Sequence, residues 1–237
     1  MKILAIDSSS TPASIAVTNG ETPIGEFTIN INRTHSEKLL PIADALLDAI
    51  NLSVSDIDAF AVSIGPGSFT GLRIGMSAAK LMAQISGKPL IGVKTLEALA
   101  ANVSVFGGYI VPVLDARNDT FYSAVYKCTN CALSEQKESS AILIDDFCKE
   151  ICALDMPVLV TGEYYKYIDK IKPLISSKSD IYFAPGHLAS QRATSCAVLA
   201  YKQYCAGNVS DPQAVVPLYV RESQAEQAKK AREAKAK

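Results

Sequence analysis

The chain has 237 residues, enough for one large domain or two small ones, and 23 basic against 24 acidic side chains leave a formal net charge of -1. That balance excludes a protein that coats nucleic acid by bulk charge, and 49% hydrophobic with 20% charged residues excludes disorder over most of the length. No apolar run reaches the roughly 18 residues needed to cross a bilayer, and Asp7 ends the first apolar run too early for a signal peptide, so a cytoplasmic protein with reduced cysteines is expected. Lys2–Asp7 and Ala13–Thr18 read as strands around a Ser8–Pro12 turn, and Asn19-Gly20 predicts a hairpin to a third strand, Pro23–Ile31. Leu39, Ile42, Ala43, Leu46, Leu47 and Ile50 follow helical spacing, with Thr34 and Glu37 placed as a capping box. Ala59–Ile64 is a buried strand, Gly65–Gly71 a glycine-punctuated loop, and Thr70–Ser86 a helix stopped by Gly87 and Pro89. A strand at Leu90–Val93 and a helix at Thr95–Val103 follow.

After Gly107-Gly108 the pattern restarts. Strands are expected at Tyr109–Leu114, Phe121–Lys127, Leu133–Lys137, Pro157–Thr161 and Ile181–Ala184. Helices are expected at Asp145–Leu154, Glu163–Ile175 and His187–Tyr204. Each half then runs strand, turn, strand, strand, helix, strand, which predicts two related α/β lobes, 1–107 and 108–210. The segment 211–237, with the short run Val215–Val220, is expected to return to the first lobe. Residues 221–237 carry six basic against three acidic side chains, a solvated terminal helix or a basic arm for RNA.

Four groups of residues invite chemistry. Asp7, beside the hydroxyls of Ser8, Ser9 and Ser10, and Asp115 stand at strand ends in corresponding places of the two halves. Such turns suit a phosphate with Mg²⁺, as in the actin, hexokinase and heat-shock chaperone superfamily, although Asp is also an ordinary turn former. The segment Ser63–Gly75 leads through Gly65 and Gly67 into a helix N-terminus but lacks the lysine of a Walker A loop. Gly71, Gly75, Ala78 and Ala79 leave that helix thin, open to a second helix or to tight packing inside the subunit. His35 and His187 fall in different halves. Cys128, Cys131, Cys148 and Cys152 have a loosely zinc-like spacing, against the plainer reading of separate reduced thiols.

Ile3–Ser9, His35-Ser36-Glu37 with Leu39-Leu40-Pro41, Gly65–Arg73, Asp115-Ala116-Arg117 and Pro217–Arg221, in this order, resemble the bacterial TsaB family. That family serves the machinery that makes threonylcarbamoyladenosine next to the tRNA anticodon. The resemblance implies two actin-like, ribonuclease H-like lobes with mixed sheets flanked by helices. It implies a non-catalytic subunit without cofactor or metal, paired with a TsaD-like catalytic subunit and, when alone, with a second copy. The small ATPase of the pathway and tRNA would be reached through the complex, and no membrane is involved. The HxxxH metal pair of the catalytic paralogue falls on Thr95 and Leu99, which cannot replace imidazoles. Ser9 and Ala116-Arg117 stand where the superfamily has phosphate-turn glycines, so Asp7, Ser9, Asp115 and Gly162 are vestigial candidates for nucleotide binding. Leu39, Ala43 and Leu46 of the first long helix, with Gly71, Gly75, Ala78, Ala79 and Met82 of the second, are the expected partner face. The alternative is an actin-like Mg-ATP phosphotransferase using Asp7 and Asp115. A peptidase is excluded for want of a metal pair or a Ser-His-Asp arrangement.

Overall fold

The computed structural model describes residues 1–30, 35–209 and 211–221. The capping box at Thr34 and the basic tail after Arg221 lie outside the described residues. The first half comprises β1 (Lys2–Asp7), β2 (Ala13–Asn19), β3 (Thr22–Ile29), α1 (His35–Ala49), β4 (Ala59–Gly65), α2 (Phe69–Ser86), β5 (Leu90–Lys94) and α3 (Thr95–Ala101). The second comprises β6 (Gly108–Asp115), β7 (Thr120–Thr129), β8 (Ala132–Leu143), α4 (Ile144–Ala153), β9 (Val158–Gly162), α5 (Ile168–Leu174), β10 (Ile181–Phe183) and α6 (Ala193–Cys205).

The strands form two five-stranded sheets, β3-β2-β1-β4-β5 and β10-β9-β6-β7-β8. In each, three strands meander antiparallel, and two more join parallel to the first after helical crossovers. The repeated element order of the sequence is therefore a repeated topology, and both sheets are the mixed, helix-flanked kind expected of actin-like lobes. The hairpin turns follow local chemistry: Gly20 takes φ +59° after Asn19, while Asn130 and Cys131 both adopt positive φ between β7 and β8. Cys131 is thus an exposed turn residue, Cys128 is buried in β7, and the six cysteines are free thiols. Burial pushes the Cys148 thiol up to about 11, with Cys152 adding to the shift. Among the described residues, no group of three or more His, Cys, Asp or Glu side chains could hold a metal, and no helix is long and apolar enough to cross a membrane.

The helices between the sheets cross over. Leu96, Leu99 and Ala100 of α3 pack with Ile110, Leu114 and Tyr126 of the second sheet. Ala193, Cys196, Ala197 and Ala200 of α6 pack with Ile3, Ala5, Ala61 and Val93 of the first. Small side chains on both surfaces let α6 lie close to β1 and β4. Although sequence order puts α6 in the second half, it covers the first sheet.

Several boundaries differ from expectation. The helix predicted from His187 starts at Ala193, where Ser14 Oγ and a Glu26 carboxylate oxygen accept from the amides of Ala193 and Thr194, each at 3.0 Å. Glu163–Tyr167 is a 3₁₀ turn preceding α5, and β8 extends to Leu143. Val215–Val220, the short run expected to return to the first lobe, lies along it as an extended strap: Leu218 donates to Ile64 at 2.7 Å, Val215 enters the first core, and Pro217 has no amide to extend a ladder.

Candidate functional site

The C-terminal ends of β1 and β6 place Asp7 and Asp115 in equivalent positions, as the sequence implied. Asp7 is buried, and its carboxylate is engaged. Oδ1 accepts from the Ser9 amide at 3.0 Å and the Ser9 hydroxyl at 2.6 Å, and Oδ2 accepts from Ser63 at 2.6 Å. Charge-assisted hydrogen bonds on both oxygens stabilise an acid that would otherwise be costly to bury. Cys196 lies nearby. Burial pushes its thiol well up, Asp7 adds to the shift, and a hydrogen bond with Ser63 opposes it. It is an inert core thiol rather than a nucleophile.

Asp115 is held differently. Its Oδ1 accepts from the Arg117 amide at 2.7 Å and the Tyr167 hydroxyl at 3.0 Å, while Lys166 Nζ stands 3.5 Å from Oδ2. Glu163, the residue after β9, joins the two turns. Its Oε2 accepts from the Asp115 amide at 2.8 Å, and its Oε1 accepts from the Ser10 hydroxyl at 2.8 Å and from Lys166 at 3.0 Å. Burial works against the Lys166 ammonium, but its hydrogen bond to Glu163 and the charges of Glu163 and Asp115 outweigh this and raise its pKa. Glu163 and Lys166 are site residues that sequence reasoning missed, while Ser10 and Ser63 lay in segments it singled out without assigning them these partners. The available signal was a glutamate directly after the strand-end Gly162.

The glycines have steric roles. A Cβ on Gly162, where φ is +96°, would meet Val113 O at 2.0 Å, so the glycine lets β9 end against β6. A Cβ on Gly67 or Gly71 would meet the carbonyl oxygen of Ser9 at 2.3 Å or of Ser8 at 2.0 Å, and one on Gly75 would meet Ser8 Oγ at 2.3 Å. Ser8 Oγ also donates to Gly71 O at 2.9 Å, and Ser68 donates its amide to Ser9 O at 2.7 Å. The glycine face of α2 is thus filled by the protein's own β1–β2 turn.

Most of the residues expected on the partner face are turned inward. Leu39, Ala43, Leu46 and Ala79 are buried in the first core, and Gly71 and Gly75 are buried against Ser8. Ala78 and Met82 remain half-exposed. The outward apolar residues lie beside them: Leu40 on α1, and Leu81 and Ile85 on α2, which are 52% and 77% exposed. Amphipathic spacing identifies two faces of a helix but not which one meets another chain.

The family model described as TsaD, tRNA N6-adenosine threonylcarbamoyltransferase, matches residues 25–229. The Bacillus subtilis tRNA threonylcarbamoyladenosine biosynthesis protein TsaB is 32% identical over 227 residues, covering 95% of this chain and 96% of its own. The chain belongs to the TsaB family. The Escherichia coli protein of the same name is 28% identical, covering 93% of this chain and 95% of its own. The solved YeaZ structure from Pseudomonas aeruginosa shares the fold, with a TM-score of 0.79 at 22% identity over 92% of this chain and 99% of its own. In this member of the TsaB family, the positions that the resemblance aligns with the paralogue's metal histidines are structural. Thr95 is buried and accepts from the Gly65 amide at 3.2 Å, and Leu99 is a core residue.

Proposed function

We propose that the chain acts in tRNA threonylcarbamoyladenosine biosynthesis as a non-catalytic partner of a TsaD-type subunit, which transfers the threonylcarbamoyl group. The small ATPase of the pathway and tRNA would meet it through that complex, and the isolated chain would pair with a second copy. The observation that carries this reading is the engagement of Asp7: both oxygens are committed to Ser9 and Ser63, and the turn around it is packed into the glycine face of α2. A Mg-ATP phosphotransferase would have to break those bonds before Asp7 could meet a metal. The outward residues Leu81 and Ile85 supply an apolar contact whose exposure in water favours association.

The test is gel filtration of the chain with the TsaD-type subunit of the same genome, alongside reconstituted threonylcarbamoyl transfer to tRNA. The double substitution Leu81→Glu, Ile85→Glu should leave the circular dichroism unchanged, because the parent side chains face solvent. It should abolish co-elution and transfer, since desolvating an unpaired charge at an interface costs about 2–5 kcal/mol. A folded variant that co-elutes with parental affinity and supports transfer would refute this interface. Threonylcarbamoyl transfer that proceeds equally well without the chain would refute the partner role.

A further inference from the structure

We infer that Glu163 and Lys166 form an internal latch that holds the two sheets closed across their strand-end turns, and that Ser10 is its catch. The inference goes beyond the partner role and concerns the isolated chain.

The carboxylate of Glu163 spans the two halves. Oε1 accepts from Ser10, 153 residues away in the β1–β2 turn, and Oε2 accepts from the Asp115 amide at the end of β6. On the second-sheet side the carboxylate is held from several directions. Lys166 lies 3.0 Å from Glu163 and 3.5 Å from Asp115, while Asp115 also receives Tyr167 and the Arg117 amide. The Glu163 side chain is only 10% exposed, so water competes poorly for it. On the first-sheet side, this carboxylate meets the turn through the Ser10 hydroxyl.

The far side of the interface is built differently. There α3 and α6 pack against each other and against opposite sheets, which gives two helical connections with extensive apolar burial. The Lys94–Glu135 ion pair, from the last residue of β5 to β8, is a further polar link between the sheets. In hinge-type closure a few residues at a connected side absorb the backbone change while the opposite side parts. Here the packed side is the helix pair, and the polar side is the pair of strand-end turns. The Arg221 contact to Ala116 O crosses on the polar side as well, at 3.5 Å. The ammonium of Lys166 lies against both Asp115 and Glu163 and offsets part of their negative charge in the closed form.

Amide hydrogen exchange of the full chain alone, in the parent, Ser10→Ala, Glu163→Gln and the double variant, tests the latch. Removing a hydrogen bond to a buried carboxylate should raise the opening equilibrium about ten-fold or more. Peptides spanning 8–12 and 115–120 should both exchange that much faster in Ser10→Ala, while β4 peptides keep their parental rate. Ser10→Ala should speed exchange less in the Glu163→Gln background than in the parent, because the amide that replaces the carboxylate offers Ser10 only a weaker, uncharged acceptor. Faster exchange confined to 8–12 in Ser10→Ala would overturn the latch, since it would mark a local turn contact. Parental rates in both peptides, or multiplicative effects in the double variant, would overturn it too. If Glu163→Gln fails to fold by circular dichroism, Ser10→Ala decides alone. None of these readouts uses the TsaD-type subunit, so failure here is distinct from failure of the partner reading.

Discussion

Gly71→Ala isolates the inward packing of α2. The added Cβ would sit 2.0 Å from the carbonyl oxygen of Ser8, whereas a tolerated C···O contact lies at about 3.3–3.6 Å. The clash is with backbone, and that backbone is held by Asp7, Ser9 and Ser68, so no side-chain rotation relieves it. Either the first turn of α2 moves away from β1 or the β1–β2 turn shifts, and both weaken the Ser8–Gly71 hydrogen bond of 2.9 Å. Overpacking of this kind costs about 1–3 kcal/mol and the hydrogen bond about 0.5–1.5, while replacing glycine inside a helix returns about 1. The net expectation is a loss of about 2 kcal/mol. For a chain of this size that is a fall of about 4–8 °C in Tm. Urea unfolding followed by circular dichroism measures it. Gly107→Ala, with nothing within 4 Å of its Cβ, is the control and should stay within about 0.5 kcal/mol of the parent. The reasoning fails if Gly71→Ala matches the parent in stability yet no longer binds a partner, because its small face would then point outward.

Glu97→Gln should change how stability depends on pH. Burial raises the Glu97 pKa, Lys94 opposes it, and Glu135 adds to it, so the folded chain holds this proton to higher pH than the unfolded chain does. For such an acid, stability is greatest below the unfolded pKa and falls as pH rises through the folded one. Glu97→Gln should therefore gain stability relative to the parent between pH 4 and pH 7, read from urea midpoints; an offset identical at both pH values would sink the idea. Tyr219→Ala should loosen the C-terminal strap, because Tyr219 stacks on Phe69 at 4.5 Å and 9° and accepts from Arg73 Nε at 2.9 Å. The stack is worth about 0.5–1.5 kcal/mol, so limited proteolysis within 211–221 should speed up while the helical signal stays constant, and an unchanged cleavage rate would speak against it.

The elements were legible where their causes are local. Alternation of β-branched residues, Asn19-Gly20 and the Gly87 stop act within a few residues, so the repeated strand and helix order could be read directly. Asp7 and Asp115 were legible for the same reason, since each ends the first strand of its half. What the sequence withheld depends on which distant surface fills a given space. Gly71 and Gly75 announce a close approach but carry no label for the neighbour. A second helix, a phosphate and the carbonyl of Ser8 all require the same missing Cβ. Likewise the small face of α6 fits any surface of alanines, and it settles on the first sheet because Ala5, Ala16, Ala59 and Ala61 provide one. Glu163 and Ser10 stand too far apart in the chain for any spacing rule. The first and last of these pairings converge on the turn after β1. The motif that most resembles a phosphate cradle is filled by Ser8 and Ser9, Asp7 is occupied by Ser9 and Ser63, and Ser10 is held by Glu163. With Asp7, Ser8 and Ser9 buried and committed to groups of their own chain, this turn offers a nucleotide few free donors or acceptors, although its spacing is that of a phosphate turn.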